Sequence, residues 1–435
     1  MLHSCTECTC SPSSSVKSLK IRYTPMMNPC STQNLPSYDD ALNRILPQIS
    51  PLSIETLSYR DARGRTLACD VHTDRDQPPF DRSAMDGFAV RSADIQQGAA
   101  LKITGSVPAG APPIYYQTPV EAGCAYRIAT GAPVPVGADT VIPIESAKVQ
   151  EGDHPTVCFY IDTVHSRRNI HPQGADAKAN DRVIESGTIL SAQHIGIACA
   201  SGNTQLQVIR KPKVVLLTTG DEVCPPETKL EQLEPQQIRN SNGPMLLALL
   251  SQLGITDVTH HHLPDEPKPT FDAAQEAMNQ ADLVLTVGGV SVGQRDHLPA
   301  TWQKLGADIL VHGTAIKPGK PVFVATQNKT LILGLPGNPG SVFTTAHLFL
   351  LPILCKMLNR PAPIWQNFPL ATEVKAQKDR DRFILVRIMD QQAHFLSTQG
   401  SGDLMHTAQA HGFVRVNRST ELCKAGQTVP FLPLL

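Results

Sequence analysis

The spacing of apolar side chains changes texture several times along the chain. Residues 37–46 (SYDDALNRIL) place apolar positions at helical intervals behind a serine suited to capping, and a helix is expected there. From Asp70 to about Thr163 short apolar runs alternate with Pro/Gly turns and the helical period fades, which predicts a β-rich module. Residues 169–202 begin as a polar loop holding Asp176, continue as a short strand, and end as a helix over 191–200 with Ser191 as its N-cap. Beyond Gln207 the pattern becomes strand, helix, strand. Buried-type runs at 213–218 (KVVLLT), 257–263, 282–287 (DLVLTV) and 330–335 (TLILGL) alternate with helical stretches at 242–253, 270–280 and 297–305. Pro244 falls in the first turn of one of these helices, where its missing N–H is not needed. A long apolar helix is expected over 340–358. Strands separated by helices imply a mostly parallel sheet covered on both faces.

Composition narrows the class. The chain has 435 residues, enough for several domains, and 41% hydrophobic content, enough for sizeable cores. Lys+Arg 38 against Asp+Glu 39 gives a formal net charge of -1, so no global field favours nucleic acid or an acidic membrane surface. The longest apolar run, 342–358, is interrupted by His347, Pro352 and Lys356 and reads as a buried helix rather than a membrane span. Of 11 cysteines, Cys5, Cys8, Cys10 and Cys30 lie in the first thirty residues and the other seven are scattered singly, the usage of reduced thiols in a cytoplasmic protein. Cys5, Cys8, Cys10 and His3 lack a second ligand pair at metal-site spacing, so residues 1–34 read as a disordered or untranslated extension, with Met26 or Met27 an alternative start.

In an open parallel sheet, ligands bind beyond the carboxyl ends of the strands. The polar chemistry gathers at those ends. Thr218-Thr219-Gly220-Asp221-Glu222 follows the first strand, and its adjacent carboxylates suit a divalent cation or a polar ligand. Pro264-Asp265-Glu266 follows the second. The third leads into GGVSVGQRDH, where Gly288, Gly289 and Gly293 open backbone N–H groups to an anion, Ser291 adds a hydroxyl and Asp296 closes the loop. Lys317-Pro318-Gly319-Lys320 sets two ammonium groups on a stiff turn suited to phosphate or oxyanion. In LPGNPGS, Asn338 is a natural N-cap and Pro339 a natural first helical residue, leaving a helix N-terminus to face an anion. Together these loops describe a pocket for a phosphorylated ligand with carboxylates able to hold Mg²⁺. Neither the G-x-x-x-x-G-K-[ST] phosphate loop nor the G-x-G-x-x-G fingerprint occurs, and no nucleophile elbow is present. His260, His261 and His262 form a run on a strand, where neighbours point to opposite faces, so a three-histidine metal site is not expected.

The β-rich module carries two further loops. In PPFDRSAMDGFAV, residues 78–90, the prolines stiffen the approach and Asp86-Gly87 makes a tight turn that holds the Asp86 carboxylate in place. An ordinary Asp-Gly hairpin turn is the alternative. In RIATGAPVPVGADTVIPIE, residues 127–145, Thr130-Gly131 sits at a bend between two apolar strands.

PPFDRSAMDGFAV, RIATGAPVPVGADTVIPIE, TTGDEV, GGVSVGQRDH, IKPGKP and GLPGNPGS occur in this order, and together they resemble the molybdopterin molybdenumtransferase family, the MoeA proteins and the E domain of gephyrin. The resemblance runs from about Ser37 to the C-terminus. It implies a multidomain α/β plus β fold: a discontinuous linking and dimer domain over 35–69 and 164–206, a β-rich inserted module over 70–163, a molybdopterin-binding-like alternating α/β domain over 207–360 and a small C-terminal β domain over 361–435. It also implies insertion of molybdate into adenylylated molybdopterin, with release of AMP, formation of molybdenum cofactor and use of Mg²⁺ or a similar divalent cation. A homodimer is implied, with its cleft between subunits. The molybdopterin adenylyltransferase and recipient molybdoenzymes would be further partners. Carried over by residue, Asp86 and Thr130 come from the opposing subunit, and Asp176 joins them as a catalytic residue. Glu222, Asp265 and Asp296 are the carboxylates for metal or substrate. Lys317, Lys320 and Ser401 meet the anion.

One segment departs from the pattern. Family members commonly carry an Arg-rich stretch before a Gly-Glu-Asp triplet. Here Asp176 is kept, but His171 and Gln173 stand at the Arg places and Ala175 replaces the Glu, with Arg167 and Arg168 upstream as substitutes. Weaker oxyanion binding is expected. A non-catalytic dimeric scaffold, a molybdopterin adenylyltransferase and a tungstate-inserting variant are the alternatives.

Overall fold

The computed structural model describes residues 35–96, 98–289 and 297–435. The head cysteines, Ser291, Gly293 and Asp296 lie outside the described residues. Among these residues the fold is α/β plus β, with three six-stranded sheets.

The α/β sheet has the strand order Val258–Leu263, Val214–Thr219, Leu283–Val287, Thr330–Leu335, Phe323–Gln327, Asp308–His312. The first four strands run parallel and the last two join antiparallel. Strand alternation splits the side chains between two cores. Val214, Leu216, Leu283 and Leu285 face one side, where helix Asn242–Gln252 contributes Leu246, Leu249 and Leu250. Val215, Leu217 and Val284 face the other, against Ala274 and Ala277 of helix Pro267–Gln280 and Leu298 and Trp302 of helix Leu298–Lys304. Burial on both faces explains why these strands read as continuous apolar runs. The two antiparallel strands were not anticipated. They lie on the far edge of the sheet, and the Asp308–His312 strand mixes exposed and buried positions.

The long apolar helix is present, in three pieces: Pro339–Thr345, a π-helical turn Ala346–Leu350, and Leu351–Met357. Pro352 is the physical cause. It has no N–H and crowds the carbonyl four residues earlier, that of Leu348. The Tyr38 hydroxyl donates to this Leu348 oxygen at 3.3 Å. This is the only helix among the described residues long and apolar enough to cross a membrane, and 83% of its apolar window is buried inside the molecule.

Helix Tyr38–Ile45 starts at Ser37, whose Oγ accepts from the Asp40 N–H at 3.1 Å, while the Asp40 carboxylate accepts from the Ser37 N–H at 3.3 Å. The helix buries Tyr38, Ala41 and Ile45 in the same core as the α/β sheet. The linking segments meet elsewhere. Ile54–Ser58 pairs with Gln205–Ile209, and helix Ala192–Ala200 packs over a small core with Leu67, Val71 and Val208.

The β-rich module is a six-stranded sheet in the order Thr140–Pro143, Gly87–Val90, Cys124–Ile128, Ala100–Val107, Thr156–Phe159, Ala147–Gln150. Phe88 and Val90 enter one core and Ala89 the other, so the strand leaving the Met-Asp-Gly loop is anchored on both faces. The C-terminal sheet is built on Asp381–Met389, Gly412–Val416 and Thr428–Pro433. Ile316–Lys317 joins it in parallel beside Asp381–Met389, which stitches the lysine turn into this domain. Asp381, 1% exposed, accepts from Arg415 at 2.7 Å, and Arg415 also reaches Asp39 at 2.6 Å, tying the first helix to the C-terminal sheet.

Candidate functional site

The connection leaving the Val214–Thr219 strand runs to one side of the sheet, and the chain then returns to build Leu283–Val287 on the other side. A crevice opens where the direction reverses. Here it is a cavity of about 310 Å³ lined by Thr218, Gly220, Glu222, Asn240, Asn242, Asp265, Gly288, Gly289, Gly337 and Asn338, among others. The first-strand loop, the Asp265 loop and the Gly288-Gly289 turn therefore do converge, as their positions after strands imply. The backbone N–H of Asp265 donates to Asp221 Oδ1 at 3.1 Å, which couples the two acidic loops. Two carboxylates, Glu222 and Asp265, line this cavity. That donor set fits one hard divalent cation that keeps part of its water shell.

A second cavity, of about 360 Å³, lies on the far side of Asn338. Lys317, Lys320, Asn338 and Ser401 all line it. So do Arg380 and Arg382, which the sequence reading did not single out. Their only signal in the chain is the charged run Lys378-Asp379-Arg380-Asp381-Arg382 at the head of an apolar strand. Arg382 donates to the Lys375 carbonyl at 2.6 Å, and burial pulls its pKa below the ordinary guanidinium value. The lysine turn is fixed by Gly319, whose φ of 107° and close contact with the Thr345 side chain leave no room for a Cβ. Gly340 is constrained in the same way. A Cβ there would stand 2.8 Å from the Ser401 carbonyl and 2.9 Å from that of Asp403, so glycine lets the C-terminal turn lie directly on the helix start.

That contact corrects the expectation for Asn338. It stands at the N-cap position of helix Pro339–Thr345, yet its side chain makes no cap hydrogen bond. Its Nδ2 donates instead to Ser401 Oγ at 3.0 Å. The Ser341 N–H of the first turn is taken by the Ser401 carbonyl at 3.1 Å, so this helix start does not offer all its donors to an anion. Asn338 serves as the partition between the two cavities.

Asp86, Thr130 and Asp176 line neither cavity. Asp86 and Thr130 lie together in the β-rich module, and Asp176 lies in the segment that follows it. Asp86 is exposed and its Oδ1 accepts from the Thr130 N–H at 2.7 Å, so the two loops hold each other. Met85 and Phe80, in the same loop, are exposed. Arg82–Ser83 pairs with Ile170–His171, which brings in the departing segment. His171 Nε2 lies 2.9 Å from Asp176, and Arg82 lies 3.9 Å from the same carboxylate. Arg167 does not substitute for the missing arginines. Its guanidinium grips both oxygens of Asp81 and holds that carboxyl below the usual range.

Fold and crevice define a doubly wound molybdopterin-binding type of domain flanked by β domains. Residues 215–356 match the family described as "Probable molybdopterin binding domain", residues 36–202 the "MoeA N-terminal region (domain I and II)" and residues 367–434 the "MoeA C-terminal region (domain IV)". Among curated relatives, the molybdopterin molybdenumtransferase of Bacillus subtilis is 31% identical over 91% of this chain and 93% of its own length. That of Synechococcus elongatus is 36% identical over 78% and 84%. A solved structure of the molybdopterin biosynthesis MoeA protein from Pyrococcus horikoshii superposes with a TM-score of 0.76 at 29% identity, covering 92% of this chain and 100% of that one. The chain belongs to the molybdopterin molybdenumtransferase family, a family of transferases in molybdenum cofactor biosynthesis.

Proposed function

We propose that this protein inserts molybdate into adenylylated molybdopterin, releasing AMP, with help from Mg²⁺ or a similar divalent cation. The observation that carries the reading is the pair of cavities that meet at Asn338, one bearing carboxylates and strand-end glycines, the other lysines and arginines. The phosphate-bearing ligand would lie over Gly288 and Gly289, whose backbone can approach an anion closely. Molybdate would lie among Lys317, Lys320, Arg382 and Ser401, where fixed positive charge offsets its repulsion from the phosphates. Glu222 and Asp265 would hold the cation, which supplies charge neutralisation at the pyrophosphate. The remaining work is positioning, and no side-chain nucleophile is required.

The exposed Met-Asp-Gly loop supports a homodimeric site. Asp86, held by the Thr130 amide in a loop that also exposes Met85 and Phe80, would enter a cavity of a second copy. In this reading Asp86, Thr130 and Asp176 complete the partner's site. The protein would act in the cytoplasm, taking its substrate from an adenylyltransferase and passing cofactor to molybdoenzymes.

The test is cofactor synthesis from purified components: adenylylated molybdopterin, Mg²⁺ and molybdate, with AMP release and activation of a cofactor-free molybdoenzyme as readouts. Molybdate-dependent AMP release is expected, and Glu222→Gln should reduce it at least roughly a hundredfold, the scale of losing a charged group that acts directly on the reacting centre. A folded protein that releases no AMP would overturn the reading.

A further inference from the structure

The histidine run on the edge strand Val258–Leu263 has a structural role that neither composition nor family membership assigns. His260 and His262 share one face of the strand, as a period of two requires, and both meet a single hydroxyl. Thr218 Oγ1 lies 3.1 Å from His260 Nε2 and 3.1 Å from His262 Nδ1. Asn240 Nδ2 approaches the same oxygen at 3.5 Å, and Asn240 Oδ1 accepts from the Gly243 N–H at 2.9 Å at the start of helix Asn242–Gln252. The other ring nitrogen of His262, Nε2, is 3.1 Å from the Gly220 carbonyl. Thr218, Gly220 and Asn240 all line the carboxylate-bearing cavity.

The direction of each bond follows from valence. A carbonyl only accepts, so His262 Nε2 carries a hydrogen. The neutral ring then has a bare Nδ1, which at 3.1 Å lies nearer the Thr218 hydroxyl than the His261 carbonyl at 3.5 Å and accepts its one proton. With that proton committed, the Thr218 oxygen can only accept from His260 Nε2, which therefore carries a hydrogen too. The chain of donors reads His260 to Thr218 to His262 to the Gly220 carbonyl. Gly220 is two residues from Glu222, so this chain pins the loop that carries a cavity carboxylate.

We propose that His260 and His262 are positioning residues, which act through Thr218 and Gly220 to hold the Glu222 loop in its ligand-binding arrangement. The inference rests on the reading of this cavity as the site of the phosphorylated ligand. Among the described residues, the groups that meet the pair from the adjoining strand and helix are Thr218, Asn240 and Gly243, none of them ionisable. Charged groups enter with His261 on the same strand and with Asp221 and Glu222 beyond Gly220. Burial, with the neighbouring rings, already disfavours the charged form of His260. The positioning role thus predicts that removing either end of the donor chain weakens ligand binding.

The experiment is calorimetric titration of the full chain with AMP and Mg²⁺ between pH 5.5 and 7.5. At pH 7.5, Thr218→Val and His262→Ala should bind roughly five- to tenfold more weakly than the wild type, the scale of one well-made hydrogen bond. Thr218→Ser and His261→Ala should bind as the wild type does. Long-range ¹H–¹⁵N spectra of the wild type should show both rings with hydrogen on Nε2, independently of any variant's folding. Normal AMP affinity in Thr218→Val and His262→Ala, or the other tautomer on either ring, would overturn the inference alone. Failure of the wild type to bind AMP at any pH would overturn the proposed function as well.

Discussion

A single side chain, Asn338, stands between a cavity lined by carboxylates and strand-end glycines and one lined by lysines and arginines. Its identity suggested a helix cap, and the choice it makes instead depends on Ser401, 63 positions away in sequence. The same dependence on distant partners appears at His171. Sequence offered Arg167 as a neighbouring source of positive charge, but the fold commits Arg167 to Asp81 and leaves His171 and Arg82 as the groups around Asp176. His171→Arg should therefore lower the molybdate concentration for half-maximal AMP release, by roughly tenfold if the guanidinium makes one charge-assisted bond to the anion. The molybdate dependence of the synthesis reaction measures this. An unchanged requirement would remove the His171 segment from the oxyanion site.

At the scale of elements, the strands of the α/β domain were legible because each is buried on both faces and so reads as an unbroken apolar run. The Asp308–His312 and Phe323–Gln327 strands were not. One is half exposed, and their pairing is antiparallel, set by register across the sheet rather than by any local period. The helix from Pro339 to Met357 was legible in length but not in its π turn, where the Leu348 carbonyl that Pro352 leaves unserved is met by Tyr38, far away in sequence. That helix also carries His347, buried, donating to the Phe343 carbonyl at 2.8 Å, with its pKa pushed down by burial. A histidine whose folded pKa lies below its unfolded value near 6.5 binds more protons when unfolded. Its stabilising contribution is complete above that value and is lost as pH falls below it. Denaturation midpoints should therefore drop from pH 7.5 to 5.5, and less steeply in His347→Gln, which keeps a donor but cannot ionise. His260, also depressed, would leave a residual slope. Equal slopes in the two proteins would show that His347 does not titrate on unfolding.

For the whole molecule, the question is how the β-rich loops reach the cavities. Asp86 and Thr130 hold each other, and neither they nor Asp176 line the two cavities of their own chain, so the proposed site would draw on them from a second copy. Co-expression of Asp86→Asn with Glu222→Gln tests this. If each site takes Asp86 from one subunit and Glu222 from the other, half the dimers are mixed and each mixed dimer has one intact site. About a quarter of the wild-type sites then return, by simple counting of a symmetric pair. Activity no higher than that of either variant alone would place all these residues in one chain's site.

The sequence by itself determined the alternation of strands and helices, the loops at strand ends and the family, because buried runs, turn residues and ordered motifs are local properties of the chain. Only the tertiary structure decided which loops share a cavity, that Arg380 and Arg382 join the lysine turn, that Arg167 is occupied by Asp81, and that two of three adjacent histidines converge on Thr218. These are meetings between residues distant in sequence or in separate elements, settled by strand register, backbone approach and the number of protons each polar group can give or receive.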